Sequence, residues 1–514
     1  MEFVRCMQKG MIAMMTEATY EVLVSFDELA KKRKNEILNT KDNMTITGAI
    51  YYVSNSGDDE NDGKSPEKPW KTLKRVSEEK LSFGDGVCFK RGDIFRGNLT
   101  ASDGVTYCAY GEGEKPKFYG WNKNLANPNL WTLYNPEKNI WKLNEKIPDC
   151  GTLVFSGGEK HSYKHIPSYR YGKFYCRFKE NVLFDISEEL ENDLDIYWHY
   201  EDKFSVKLTK GEDFPVPDVT DDSLGELYLR CNGGNPGEVF SDIEAVVRGG
   251  IIRVGECNNV TVDNLSLKYS NFAVSAFSMN IVGLHVTNCE IGWIGGCIQS
   301  YDGTDPNYTA EKRGGVTRYG NGIEIYGGCT DYVVDNNYIY QVYDAGATHQ
   351  YTTCGNKVPM NDIRYSNNLI EYCVYAIEYF LEERAHNTGS CMSGVEMCNN
   401  FLRFGGYGWG QQRHNTYTPA LIKGWSYENT AENYTIHDNI LDRCAYRLFH
   451  LVAQKEEYCP KMYNNTYIQK LGMTMGQYGA KENKVPEVIA FFEDADEKIK
   501  EIMKEINAKV YYIK

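Results

Sequence analysis

The chain has 514 residues, more than one compact core ordinarily organises. It carries a formal charge of −15 from 56 basic and 71 acidic side chains. That balance excludes the basic surface that nucleic acid or an anionic membrane selects, and no apolar run reaches the roughly 18 residues of a membrane span.

Sixteen cysteines would suit a disulfide framework in a small secreted chain. Here the first fifteen residues hold no apolar core followed by a small-residue cleavage site. The expectation is therefore reduced core thiols in a cytoplasmic protein. No Cys-x-x-Cys pair occurs, so neither a zinc site nor any other cofactor is expected.

Residues 1–48 read as a helical extension. Ser25-Phe26-Asp27-Glu28 has the spacing of a capping box and predicts a helix through Leu38. The extension either caps one end of the main fold or packs loosely on it.

At Ile50 the character changes, and residues 49–149 read as strands and polar turns. Tyr51-Tyr52-Val53-Ser54 is a strand, Asn55–Gly63 a polar turn, Pro69-Trp70-Lys71-Thr72-Leu73 the entry to a short helix, and Gly84–Asp93 a second strand with its turns. This order resembles the opening of right-handed parallel β-helix proteins of the pectate-lyase-like superfamily, and bacterial β-helix glycoside hydrolases in particular. The resemblance implies an all-β solenoid and says little about its chemistry. Solenoids escape the limit on core size because each coil buries its face only against its neighbours.

Residues 150–245 break the rhythm with aromatic and charged alternation, as in Asp195–His199 and Glu226-Leu227-Tyr228-Leu229. They predict an inserted β-rich subdomain. From 246 to 480 an Asn before an apolar strand recurs, at Asn264, Asn288, Asn337, Asn368, Asn400, Asn439 and Asn465. A bare coil takes the shortest of these spacings, 24 residues, and the excess is loop. Asn tolerates left-handed backbone and stacks well at a repeated turn. Residues 481–514 predict a C-terminal amphipathic helix from Pro486 through about Val510.

Counting from the Asn markers places strands at 273–277, 322–326, 345–349, 376–380, 408–412 and 447–451. Alternation turns Ile323 and Ile325 inward and Glu324 and Tyr326 outward. The outward column then reads Ser275, Glu324, Ala347, Glu378 and Gly410, with Asp344 in the turn beside it. Two carboxyls flanking a small residue are what acid/base cleavage of a glycosidic bond needs, one protonated and one ionised. Glu324, Asp344 and Glu378 are the catalytic candidates. His349, Gln350, Tyr326, Phe380, Gln412, Arg413, His414 and Asp302 are candidates for holding sugar hydroxyls and ring faces.

Gly320–Glu324, Tyr343–Gln350 and Gly408–Arg413 resemble motifs of β-helix glycoside hydrolase-like proteins, which extends the resemblance over residues 50–480. The reading is a glycoside hydrolase acting on an oligo- or polysaccharide without a cofactor, its oligomeric state open. A polysaccharide lyase on the same fold would need a base beside a neutralised uronate, and this column offers no lysine. A non-catalytic glycan-binding solenoid is the other alternative.

Overall fold

The computed structural model describes residues 15–514 except 171–172, 177–178, 181–188, 201–218, 221, 302–315, 354, 384–387, 414–417, 484–486 and 490–494. Strand after strand pairs in parallel with the strand one coil earlier and one coil later, and most strands join a single 30-stranded sheet. Among the described residues these pairs form three ladders. One runs from Ile50–Val53 through Tyr332–Asp335, Met360–Ser366, Met392–Cys398 and Ala431–His437 to Lys461–Tyr463. A second runs from Ile94–Arg96 through Tyr338–Val342, Leu369–Glu371 and Phe401–Gly405 to Lys509–Ile513. The third carries the candidate site. The chain is a parallel β-helix, with one contiguous apolar core of Val, Ile, Leu and Tyr side chains between the ladders.

The Asn markers resolve into two stacked columns at the corner between the first and second ladders. Asn264, Asn288, Asn336, Asn367, Asn399 and Asn464 take left-handed backbone, with φ between 52° and 63°, a conformation Asn tolerates because its short amide can bond locally. The residues that follow form a buried amide ladder. Asn368 donates its backbone N–H and its side-chain amide to Asn400 Oδ1, at 3.1 and 2.9 Å, and Asn400 does the same to Asn439 Oδ1. Asn439 repeats the pattern on Asn465. The ladder ends on a carboxylate, since Asn465 donates to Glu505 Oε1 at 3.1 and 2.9 Å and Tyr467 donates to Oε2 at 2.6 Å.

The N-terminal helix spans Tyr20–Leu38 and is capped by Thr19, whose hydroxyl oxygen accepts from Val22 N–H. Ser25, expected as the cap, lies inside the helix and donates to the Val22 carbonyl at 2.6 Å. The extension is a packed strap. Thr16–Glu17 pairs with Tyr511–Tyr512 of the final coil. Ala30 and Ile37 bury against Tyr338, Leu369 and Phe401, and Asp42 bonds Arg91 and Asn264 at the other end.

A second sheet, antiparallel except where Tyr163–His165 pairs in parallel with Asp195–His199, joins that strand to Leu224–Arg230 and draws in Trp131–Asn135 and Ile140–Leu143, ahead of residue 150. Cys150–Phe155 instead pairs with solenoid strand Ile243–Gly255. The long C-terminal helix is not formed. Glu487–Ile489 is a strand, the helical turns of Ala495–Met503 end where Lys504 turns left-handed (φ 51°), and Lys509–Ile513 joins the second ladder. Its apolar stripe is used in pieces, with Ile499, Met503 and Val510 each buried against the last coil. Cys289, Cys373 and Cys444 are buried free thiols. No helix among the described residues is long and apolar enough to cross a membrane.

Candidate active site

The third ladder is built by β1 (Ile243–Gly255), β2 (Ser266–Thr287), β3 (Ile323–Asp335), β4 (Ala345–Thr352), β5 (Tyr375–Glu382), β6 (Ala420–Gly424), β7 (Arg447–Ala453) and β8 (Gly476–Ala480). Register fixes what stacks on what. The inward column reads Val274, Ile323, Ala347, Ile377, Ile422 and Phe449. The outward column beside it reads Ser275, Glu324, Thr348, Glu378, Lys423, His450 and Gln477.

This corrects the expected column at two places. Ala347 faces the core and Thr348 lies between the glutamates, because the turn after Asn337 holds one residue more than the turn after Asn368. Gly410 is not on a strand. Trp409–Gln412 is a 3-10 turn, and β6 arrives only at Ala420, bringing Lys423 opposite Glu378. The alternation in Ala420-Leu421-Ile422-Lys423-Gly424 carried that signal.

Glu324 and Glu378 stand two coils apart, about 10 Å at the backbone by the sheet spacing. Both point away from the core, yet they are only 4% and 7% exposed. The two carboxyls are thus walled off from bulk water. Glu324 is oriented from both sides, since Asn321 Nδ2 donates to Oε2 at 3.0 Å and Gln350 Nε2 donates to Oε1 at 3.1 Å. Asn321 is held in turn by Ala345 N–H, which donates to its Oδ1 at 2.8 Å. Burial pushes the Glu324 carboxyl up to about 7, against those two hydrogen bonds and with the added repulsion of Asp344.

Asp344 pairs through Oδ1 with Arg413 Nη1. Burial works against the Arg413 charge, and the Asp344 carboxylate together with Tyr375, Tyr343 and Glu378 more than offsets it, so the guanidinium is held above its ordinary value. The 3-10 turn before Arg413 is anchored by Gln412, which accepts from Lys164 N–H at 3.2 Å and donates to the Ser162 carbonyl at 2.8 Å. Ser162 and Lys164 thus fix the turn that leads to the arginine.

Glu378 and Lys423 form a coupled buried pair. Burial, then Asp344, raises the Glu378 carboxyl; burial lowers the Lys423 ammonium, with Glu378 opposing. Lys423 Nζ donates to Tyr375 OH at 2.7 Å and lies 3.9 Å from the Tyr375 ring and 4.3 Å from the Trp425 ring. Thr348 Oγ1 is buried between the two glutamates with no hydrogen-bond partner among the described residues. Arg413 and Lys423 already set positive charge against Asp344 and Glu378, so these carboxylates do not form an all-oxygen cation cage.

Of the expected sugar-binding residues, Tyr326, Gln350 and Phe380 do lie on the outward side, in register with one another and with Phe277. Trp425 follows Phe380 along this edge and is 40% exposed. His349 does not. It faces the core, fully buried, stacked on Tyr365 and Tyr379 at 5.7 and 5.9 Å, with Nδ1 2.7 Å from Tyr365 OH. Burial pushes it down to about 3, which leaves a neutral core imidazole. Gln412 supports the loop, and Arg413 reaches the carboxyl cluster. Asp302 and His414 lie outside the described residues. Sequence reasoning missed Thr348, Lys423, Tyr375, Asn321 and Trp425.

No protein-family model matches the chain, and no curated protein matches it in sequence. Several solved structures are similar to the chain at low identity. A GH136 lacto-N-biosidase from Eubacterium ramulus is similar over 96% of this chain and 70% of its own, at 12% identity and a TM-score of 0.36. XylC, solved with xylose, aligns with 90% of this chain and 82% of its own, at 12% identity and a TM-score of 0.41. An alginate lyase from Paenibacillus sp. str. FPU-7 aligns with 86% and 96%, at 9% identity and a TM-score of 0.29.

Proposed function

We propose that this chain is a glycoside hydrolase acting on an oligo- or polysaccharide. The observation that carries the reading is the pairing of unlike carboxyls on one walled face. Glu324 is held protonated near neutral pH by burial, while Asp344 is fixed against an arginine. Environments that set two neighbouring carboxyls apart assign an acid and a nucleophile or base.

In this reading Glu324 donates its proton to the glycosidic oxygen as the bond to the anomeric carbon breaks. Asp344, its charge stabilised by Arg413, either attacks that carbon or takes a proton from the attacking water. Glu378 and Lys423 lie one and two register steps beyond Thr348 and hold hydroxyls of the sugar. Tyr326, Phe380 and Trp425 give apolar faces for the rings to stack on. The test is a screen against aryl glycosides and oligosaccharides with Glu324→Gln, Asp344→Asn and Glu378→Gln alongside. The reading requires turnover by the native chain and its loss in the first two variants; native-like rates in both would end it.

Lys423 favours a second reading. A buried lysine whose ammonium is destabilised can act as the base of a β-elimination on a uronate, with Arg413 opposite the substrate carboxylate. A product with a new carbon–carbon double bond, seen as ultraviolet absorbance and abolished by Lys423→Met, would select it.

A further inference from the structure

On the first ladder, a different face of the solenoid from the one that carries the carboxyl cluster, one group of side chains has no part in the chemistry above. Glu396 and Cys398 alternate with the buried Val395 and Met397 on strand Met392–Cys398, so both point outward. His437 sits opposite Cys398 in the next coil. The carboxylate oxygen, the thiol sulfur and an imidazole nitrogen all lie within 4.8 Å of one another.

The histidine is already oriented for a ligand. Its Nδ1 is 2.7 Å from Asp438 Oδ2, which directs Nε2 toward Glu396 Oε1 at 3.1 Å. Its ring stacks on Tyr463 at 4.4 Å and 7°. A carboxylate on one imidazole nitrogen with the other nitrogen aimed at further donors is the arrangement that fixes tautomer and ring angle at metal centres. The Cys398 thiol is free and half-buried, with no hydrogen-bond partner among the described residues.

We propose that Cys398, His437 and Glu396 bind a divalent transition-metal ion of the zinc class, with solvent in the fourth position. Sulfur, nitrogen and one carboxylate suit a borderline-soft ion and not a hard one such as calcium or magnesium. Tetrahedral bonds of about 2.0 to 2.3 Å need donors roughly 3.5 Å apart, a distance that side-chain rotation reaches from the present spacing. On binding, the thiol proton leaves to solvent as the sulfur–metal bond forms. The ion would tie two successive coils together. Sequence spacing hides this set because its members lie on two coils, with a loop between them.

Cobalt(II) is the probe, added to the full-length chain after removal of metal with a chelator. The native chain is expected to take up one saturable ion, with a thiolate-to-cobalt charge-transfer band in the near ultraviolet, and zinc is expected to displace it. Cys398→Ser should abolish the band, while Cys391→Ser, on a half-buried thiol elsewhere, should keep it. Asp438→Ala should retain the band and weaken affinity about 10- to 100-fold. Circular dichroism and melting of the metal-free variants establish that they are folded. The proposal fails if the native chain shows no charge-transfer band, or if the band survives Cys398→Ser. Neither result bears on the carboxyl cluster.

Discussion

Replacing Glu324 with Gln tests the assignment of the acid. The amide keeps the shape but only one acceptor, so Asn321 keeps its bond while Gln350 must turn its own amide to accept from the new N–H, and no proton can be given to the leaving group. A positioned general acid contributes about 10²- to 10⁴-fold, which corresponds to roughly 3 to 5 kcal/mol of barrier at about 1.4 kcal/mol per tenfold. The structure adds a pH signature. Glu324 is pushed up to about 7, so the native kcat/KM should fall as pH rises through about 7 and the acid loses its proton. In Glu324→Gln that alkaline limb should vanish along with most of the rate. The loss should shrink on an aryl glycoside whose phenolate leaves without a proton. The assay is kcat/KM against pH for both proteins on an activated and an unactivated substrate. A native-like rate in the variant, or an alkaline limb that persists in it, would refute the reasoning.

Thr348→Val removes a buried hydroxyl that has no partner among the described residues. It should leave melting unchanged yet lower kcat/KM about 2- to 10-fold, the worth of one neutral hydrogen bond to substrate. Asn400→Ala should cost about 3 kcal/mol or more in urea unfolding, since it strips the acceptor from Asn368 N–H and Nδ2 inside the core; a loss under about 1 kcal/mol would show that the amide ladder is ornamental. Glu505 is raised to about 7 by burial, with its three hydrogen bonds opposing. A raised acid stabilises below its unfolded value near 4.5 and loses that contribution as pH rises through about 7, so the native chain should lose roughly 3 kcal/mol between pH 4.5 and 8 from this group. Glu505→Gln should flatten that part of the stability profile.

The fold was legible because its signals repeat. Asn at each corner and alternating Ile and Val on each strand recur coil after coil, so single errors cancel. The site was only partly legible because it depends on register, and register depends on the number of residues in every turn. One extra residue after Asn337 moved Thr348 into the acid column and turned His349 into the core. The Gly408–Arg413 stretch has the alternation of a strand, but its glycines let it form the turn that delivers Arg413, and the strand with Lys423 came later. The C-terminal stripe had helical spacing and was divided between a short helix and a strand, because the last coil offered both a groove to fill and an open edge to pair. The grouping of Cys398 with His437 was invisible to spacing, since only stacking of coils brings them together.

The central claim is that the walled carboxyls hydrolyse a glycosidic bond, and the mass of the products tests it most directly. An oligosaccharide cleaved by the native chain in heavy-oxygen water should give fragments whose masses sum to substrate plus one water, with the heavy oxygen in the new reducing end. Asp344→Asn should give neither fragment. Fragments that sum to the substrate alone, or cleavage undiminished in Asp344→Asn, would contradict the account.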